Sequence, residues 1–383
     1  MYFHNQIQML GWNNQLNEVY MLFFVFFVSY QLNFQFISLM NTYLAYKSNR
    51  TYVFQDYTWK VDYYPWHHHP KRPWRPRTPL NALITGPSAG GPWDLGDPAP
   101  RSISDRFLDQ VCPPSERHII NTRDVKPAIA WEQSGKKIFN HWQKLLSEAP
   151  ERCIEIQPAS RDEDNFPQIF DLWFWGSGKG NDFWDEFRDS AVSRLWKTSP
   201  IVQSAVDRNE YLMRGRGKPP KGASTDPYDR MLAVHIRRGD FEKACNGLAE
   251  HNSTFYAWNS LSFLVDHFVH PVGWDIDRQV TLKTYMTHCY PTEAFIFDKI
   301  RALREAYYRA ARPGEVRFLD TVYILTNDRT DWVRRLSQAL RDDGWNHIVT
   351  TEQLELDSQQ KDVGMAVDMD FARKAAMFIG NGV

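Results

Sequence analysis

The sequence predicts an α/β protein whose second half folds as a doubly wound parallel sheet. Three observations carry that prediction. Short apolar runs recur beyond residue 230, at Met231–Ile236, Val322–Thr326, His347–Thr350 and Met377–Ile379. Unbroken runs of this length suit strands buried on both faces. Stretches of helical period lie between them, and strand–helix alternation builds a doubly wound sheet.

Taken from the N-terminus, Met1 to Asn17 is polar and lacks the basic-then-apolar order of a signal peptide. An apolar stretch follows from Val19 to Met40. Met21–Val28 has the character of a membrane segment, but Gln31, Asn33 and Gln35 interrupt the second half. A span needs roughly 20 predominantly apolar residues. Residues 60–104 are rich in Pro, Trp, His and Gly without a period and read as a long loop region. Three successive histidines, His67 to His69, cannot all face one metal ion from a regular element. The cluster Gly86–Gly91 lacks the Lys-Ser/Thr ending of a phosphate-binding loop.

Ile138, Trp142, Leu145 and Leu146 form one helical stripe, and Phe183, Phe187, Ala191 and Leu195 recur every four residues. Both are read as core-facing. Phe170 to Trp175 reads as a buried strand closed by Gly176. Gly215 to Tyr228 is dense in turn formers and separates the two halves. Beyond it, Ile296, Ile300, Leu303 and Tyr307 mark a helix. Asn327, Asp328 and Thr330 offer N-caps for another that carries Trp332, Val333, Leu336 and Leu340. Val363 to Ala376 reads as the last helix.

At 383 residues the chain can hold two cores. A net charge of −1 argues against a nucleic-acid binder. The 15 Trp, 17 Tyr and 24 Phe fit either an aromatic core or a carbohydrate-handling surface. None of Cys112, Cys153, Cys245 and Cys289 has the spacing of a zinc or redox motif, so no metal is expected. With the sequons at Asn49 and Asn252, an even cysteine count points to an oxidising lumen and two disulfides. Three connectivities are open. Pairing within each half gives Cys112–Cys153 and Cys245–Cys289.

The chemistry concentrates in His235-Ile236-Arg237-Arg238-Gly239-Asp240-Phe241, where the first strand of the second half leaves the interior. Ligands bind outside the carboxyl ends of strands in open α/β sheets. A guanidinium there can fork two hydrogen bonds onto phosphate oxygens. Held on the leaving phosphate of a nucleotide sugar, it would stabilise the transition state more than the ground state. Arg238-Gly239-Asp240 also spells an adhesion tripeptide, set aside because it is not on an obviously exposed loop.

This motif resembles the donor-binding motif of the GDP-fucose protein O-fucosyltransferase-like family. Gly11-Trp12-Asn13-Asn14-Gln15 is similar to the family's N-terminal motif, and Asp368 to Asn381 to its C-terminal one. The resemblance implies a GT-B-like α/β architecture, two Rossmann-like domains facing a cleft. The first would be an acceptor-side domain (1–214), joined by 215–228 to a donor-binding domain (229–383) that is incomplete at its end. It implies transfer of fucose from GDP-fucose to a protein or glycan hydroxyl with inversion and without a metal ion, in the endoplasmic reticulum or Golgi lumen. Arg237 would meet the β-phosphate and glycosidic oxygen. His235, Arg238, Asp240, Asp368 and Asn381 would bind the donor, with Asp368 on the base. Asn14 would lie near the acceptor or fucose, and Glu18 is the nearest carboxylate for a general base.

Two departures from the family pattern follow. Relatives continue beyond the position of Asn381 into phosphate-binding serines or threonines, which favours an alternative: an inactive nucleotide-sugar or glycan binding protein. Relatives also lack the residues from Phe23 to Met40, which are read as translated intron sequence or as a membrane-associated stretch.

Overall fold

The computed structural model describes residues 2–4, 37–58, 77–215, 217–253, 255–263, 268–269, 271, 277–328 and 330–381. The Gly11–Gln15 motif with Asn14, Glu18, most of the Phe-rich stretch and His67–His69 lie outside them. So does Thr254 of the second sequon.

Two parallel sheets organise the chain, in keeping with the expected α/β class. The first contains β1 (Tyr2–His4), β2 (Tyr52–Phe54), β3 (Ile103–Ser104), β4 (Arg117–Asn121) and β5 (Cys153–Gln157) in the order β3-β2-β1-β5-β4. Its neighbours all pair in parallel. Helix α1 (Ile37–Lys47) buries Leu39, Met40, Tyr43 and Leu44, and the Tyr43 ring packs 5.3 Å from Phe139 of α2 (Gly135–Glu148). The end of α2 is closed by Arg50. Its guanidinium donates to the carbonyls of Leu146, Ala149 and Glu151 at 2.7, 2.6 and 2.8 Å, satisfying acceptors that a helix terminus leaves open. Disulfide Cys112–Cys153 links the segment before β4 to β5.

Three sequence expectations change in this half. Residues 171–176 are not a strand: Asp171 caps α3 (Leu172–Gly176), its Oδ1 accepting from the Phe174 N–H at 2.8 Å. Phe170 and Phe174 are buried while Trp173 is 42% exposed, a helical rather than an unbroken pattern. The stripe from Phe183 to Leu195 is not one helix either, because Ser190 stops it and caps a new turn over Ala191–Leu195. Finally, the 60–104 region holds more than loop. Arg77–Thr78 pairs with Tyr57–Thr58, Ile84–Thr85 pairs with Lys197–Thr198, and β3 joins the sheet. Its glycine cluster is a closed turn: the Gly91 N–H reaches the Gly86 carbonyl at 2.8 Å, and a Cβ on Gly86 would meet the Leu195 carbonyl at 2.6 Å.

Helix α4 (Pro200–Asn209) precedes the turn-rich connection. The second sheet then forms from β6 (Met231–Ile236), β7 (Thr321–Thr326), β8 (His347–Thr350) and β9 (Met377–Gly380), ordered β8-β7-β6-β9 and parallel throughout. All four coincide closely with the predicted apolar runs. Helices α5 (Glu242–Glu250) and α6 (Arg278–Cys289) are joined by Cys245–Cys289. Three more follow: α7 (Glu293–Arg309), α8 (Asp331–Asp342) and α9 (Gly364–Lys374).

Alternation along β6 sorts its side chains between two cores. Leu232, Val234 and Ile236 join Ile296, Ile300, Trp332 and Leu336 beneath α7 and α8. Met231 and Ala233 join Tyr323, Val349, Phe371 and the core of the first half. No helix of the described residues is long and apolar enough to cross a membrane.

Candidate functional site

Counted within its own sheet, the second half has strand order 3-2-1-4, so the winding reverses between β6 and β9. That reversal opens a crevice at the carboxyl edge. Arg237 leaves β6 there, and Asn381 leaves β9 beside it.

The backbone at this edge is clamped from both sides. Asn381 Oδ1 accepts from the Arg237 N–H at 2.9 Å, and its Nδ2 donates to the Arg237 carbonyl at 2.9 Å and the Cys289 carbonyl at 2.6 Å. Asn327, the first residue after β7, does the same one residue on. It accepts from the Arg238 N–H at 2.8 Å and donates to the Arg238 carbonyl at 2.9 Å. Successive residues of a strand turn their peptide groups to opposite neighbours, so each asparagine extends one ladder by a step. Gly239 then takes φ +69°, a backbone that favours glycine, and the chain turns into α5.

The same alternation separates the two arginines. Arg237 carries its charge close to His235. Arg238 follows Ile236 onto the α8 face, where its guanidinium lies 4.6 Å from the Trp332 ring centre and 4.8 Å from Tyr290. It also donates to the Pro291 carbonyl at 3.2 Å and lies 3.5 Å from Asp328. Arg238, expected beside Arg237 as a ligand group, packs among these residues. Asn381, expected to bind the donor, spends its amide on Arg237 and Cys289. The Asp240 side chain, like Asn14 and Glu18, lies outside what the structure describes.

Burial, aided by the nearby Arg237 charge, pushes His235 down to about 4, so its imidazole is neutral at physiological pH. Asp368, on α9, faces the sheet near its carboxyl edge. Tyr323 donates its hydroxyl to Oδ1, and Thr351 Oγ1 lies 3.0 Å from each carboxylate oxygen. Burial pushes the Asp368 carboxyl up to about 7, with the two hydroxyls pulling it partway back. Thr351, one residue beyond β8, and Tyr323 went unassigned in the sequence. Two residues on, Asp370 has another role. It is fully buried against Arg373 at 2.7 Å and Lys374 at 3.1 Å, and accepts from Thr198 Oγ1 at 2.6 Å.

A cavity of about 440 Å³ lies in the first half among segments leaving the carboxyl ends of β4 and β5. Lys126, Glu163, Phe166, Trp173 and Lys179 line it. Among the described residues no group of His, Cys, Asp and Glu could hold a metal ion.

No family model matches the chain, and no curated protein matches its sequence. Among solved structures, it is similar to a crystal structure of POFUT1 in complex with GDP, with a TM-score of 0.49 at 14% identity, covering 100% of this chain and 92% of that one. It is also similar to POFUT1 in complex with GDP-fucose, with a TM-score of 0.47 at 12% identity, covering 100% of this chain and 90% of that one.

Proposed function

We propose that this protein is an inverting glycosyltransferase that moves fucose from GDP-fucose to a hydroxyl of a protein or glycan. The observation that carries the reading is Arg237 at the topological switch between β6 and β9, its backbone clamped by Asn381. An arginine fixed there is placed to take a diphosphate. Asp368 supports the other end of the same ligand. It is held between Tyr323 of β7 and Thr351 beyond β8, one to two strands from Arg237. With about 4.8 Å between strands, that offset is roughly 5–10 Å, within the reach of a nucleoside diphosphate. A carboxylate at that position can accept the two adjacent N–H groups on the guanine edge.

In this reading Arg237 neutralises charge developing on the leaving β-phosphate, the large contribution expected of a preorganised donor. His235, neutral, offers a hydrogen bond without adding charge. Residues 229–383 form the donor side and 1–214 the acceptor side. The cavity after β4 and β5 is where we place part of the acceptor, with Trp173 as a surface for an apolar sugar or peptide face. Asn14 and Glu18 remain our choices for acceptor positioning and general base. The two disulfides and the exposed Asn49 and Asn252 support an endoplasmic reticulum or Golgi setting.

Calorimetry with GDP, followed by a GDP-fucose turnover assay on mixed acceptors, tests the proposal. Binding lost in Arg237→Ala together with fucose transfer is the expected result. GDP binding without hydrolysis or transfer would leave the inactive binding protein as the function. No affinity for GDP would remove both.

A further inference from the structure

The loop carrying Arg237 is held by a segment far away in sequence. Three successive residues, Cys289, Tyr290 and Pro291, supply three contacts to it and a fourth to Asn381, which clamps it. The Cys289 carbonyl accepts from Asn381, and the Tyr290 ring stacks on Arg238. The Tyr290 hydroxyl lies 3.3 Å from the Gly239 N–H, and the Pro291 carbonyl accepts from Arg238. Cys289 is itself bonded to Cys245, on the helix that begins where the loop ends.

These links close a ring. The chain runs from Arg237 through Gly239 into α5 as far as Cys245. The disulfide crosses to Cys289, whose carbonyl takes Asn381, and Asn381 returns to both peptide groups of Arg237. Both half-cystines are fully buried in a small cluster with Phe255, Phe268 and Tyr285, apart from the two larger cores. Ala249, Phe241, Leu248, Met286 and Tyr290 complete that cluster, and the disulfide ties α5 to α6 at its centre.

We infer that the Cys245–Cys289 disulfide and Tyr290 are positioning elements of the donor site, so that the Arg237 loop acquires its binding geometry only once this disulfide has formed. The consequence for the ligand rests on the diphosphate reading of Arg237; the consequence for the loop does not. A protein built this way binds its donor after oxidative folding and weakly before it.

The test uses the full chain, a Cys245→Ala/Cys289→Ala double variant, Tyr290→Phe and Tyr290→Ala. Amide hydrogen exchange at Arg237, Arg238 and Gly239 is read beside exchange at Ala233 and Val234 in the middle of β6. In the double variant the loop amides should exchange at least tenfold faster while the strand amides hold, and GDP affinity should fall tenfold or more. Tyr290→Phe keeps the ring and should speed Gly239 alone, whereas Tyr290→Ala should speed both Gly239 and Arg238. Loop amides as protected in the double variant as in the parent would overturn the inference. If the double variant does not fold, unchanged exchange in both Tyr290 variants overturns it instead. Should the parent fail to bind GDP, the functional reading falls and the exchange data still decide the positioning role.

Discussion

The side-chain amide of Asn381 accepts from the N–H of Arg237 and donates to its carbonyl, each at 2.9 Å, in the manner of a neighbouring strand. Removing that amide leaves two partly buried peptide groups and the Cys289 carbonyl without it. A polar group left unsatisfied in a buried setting costs about 1–3 kcal/mol. Asn381→Ala should therefore lower stability in urea denaturation and weaken GDP binding together. Asn381→Asp keeps the acceptor for the Arg237 N–H but sets a carboxylate against two carbonyls, so it should be no better. Wild-type GDP affinity in both variants would show that the clamp does not set the site.

The neighbouring arginines should give opposite mutant signatures. Arg237→Ala removes a group whose proposed work is on the ligand, so the fold should persist while turnover drops by the equivalent of about 2.7–4 kcal/mol of barrier. Arg238→Ala empties the space between Tyr290 and Trp332 and removes the cation beside Asp328, whose carboxyl, despite burial, the Thr330 hydrogen bonds and Arg238 hold below its usual range. A desolvated cation–π contact alone contributes about 2 kcal/mol. Its melting temperature should fall first, with activity lost as a consequence. Melting curves set beside GDP-fucose turnover check both, and a stable but inactive Arg238→Ala would reverse the assignment.

How far the sequence revealed this site depends on the length of the pattern involved. The strands of the second sheet were legible because short, largely apolar runs alternate there with stretches of helical period, and Thr330 marked the start of α8 correctly. Three strands of the first sheet escaped because Tyr2–His4, Tyr52–Phe54 and Ile103–Ser104 are too short to show a period. Asp171 and Ser190 redirected aromatic stretches whose burial was otherwise read well, since a cap acts through one hydrogen bond that hydropathy does not register. Within the site, the sequence placed both Arg237 and Arg238 on the donor, and the structure separates them. The partners of Arg238 did not follow, because Tyr290 reaches it through a disulfide-linked helix pair remote in sequence.

Two groups on the same face should tilt stability with pH in opposite directions. The Asp368 carboxyl rises from 3.8 unfolded to about 7 folded, so the native state binds its proton more tightly. Its contribution is fully present below about 4 and is lost as pH rises through about 7. His235 falls from 6.5 to about 4, so its contribution is present above 6.5 and is lost as pH falls through about 4. Between these limits the two offset, and Asp368→Asn should unmask the His235 slope: stability rising from pH 4 to 6.5. Donor affinity should show the Asp368 effect alone over neutral pH, because only the carboxylate accepts two guanine N–H groups. GDP binding in the parent should weaken as pH falls through about 7, and a flat calorimetric profile from pH 6 to 8 would sink Asp368 as the base-binding group.

Asp370 should answer to pH and mutation in a different way. It is fully buried, yet its carboxyl stays below the usual range. Burial alone would raise it, and the Arg373 and Lys374 cations with the Thr198 hydrogen bond prevail. Its stabilisation is therefore present above the unfolded value near 3.8 and is lost only as pH falls below it, outside the window in which Asp368 and His235 titrate. Thr198 lies in a strand pair of the first half, so this carboxylate also ties α9 to that half. Breaking a buried pair by removing one partner typically costs about 3–5 kcal/mol because the other charges are left uncompensated. Asp370→Ala should lose stability on that scale at neutral pH. Thr198→Val, which removes only the neutral hydrogen bond, should lose about 1 kcal/mol. Denaturation midpoints of the two variants at pH 7 measure the contrast, and equal losses would place the energy in the Thr198 link rather than in the buried charge.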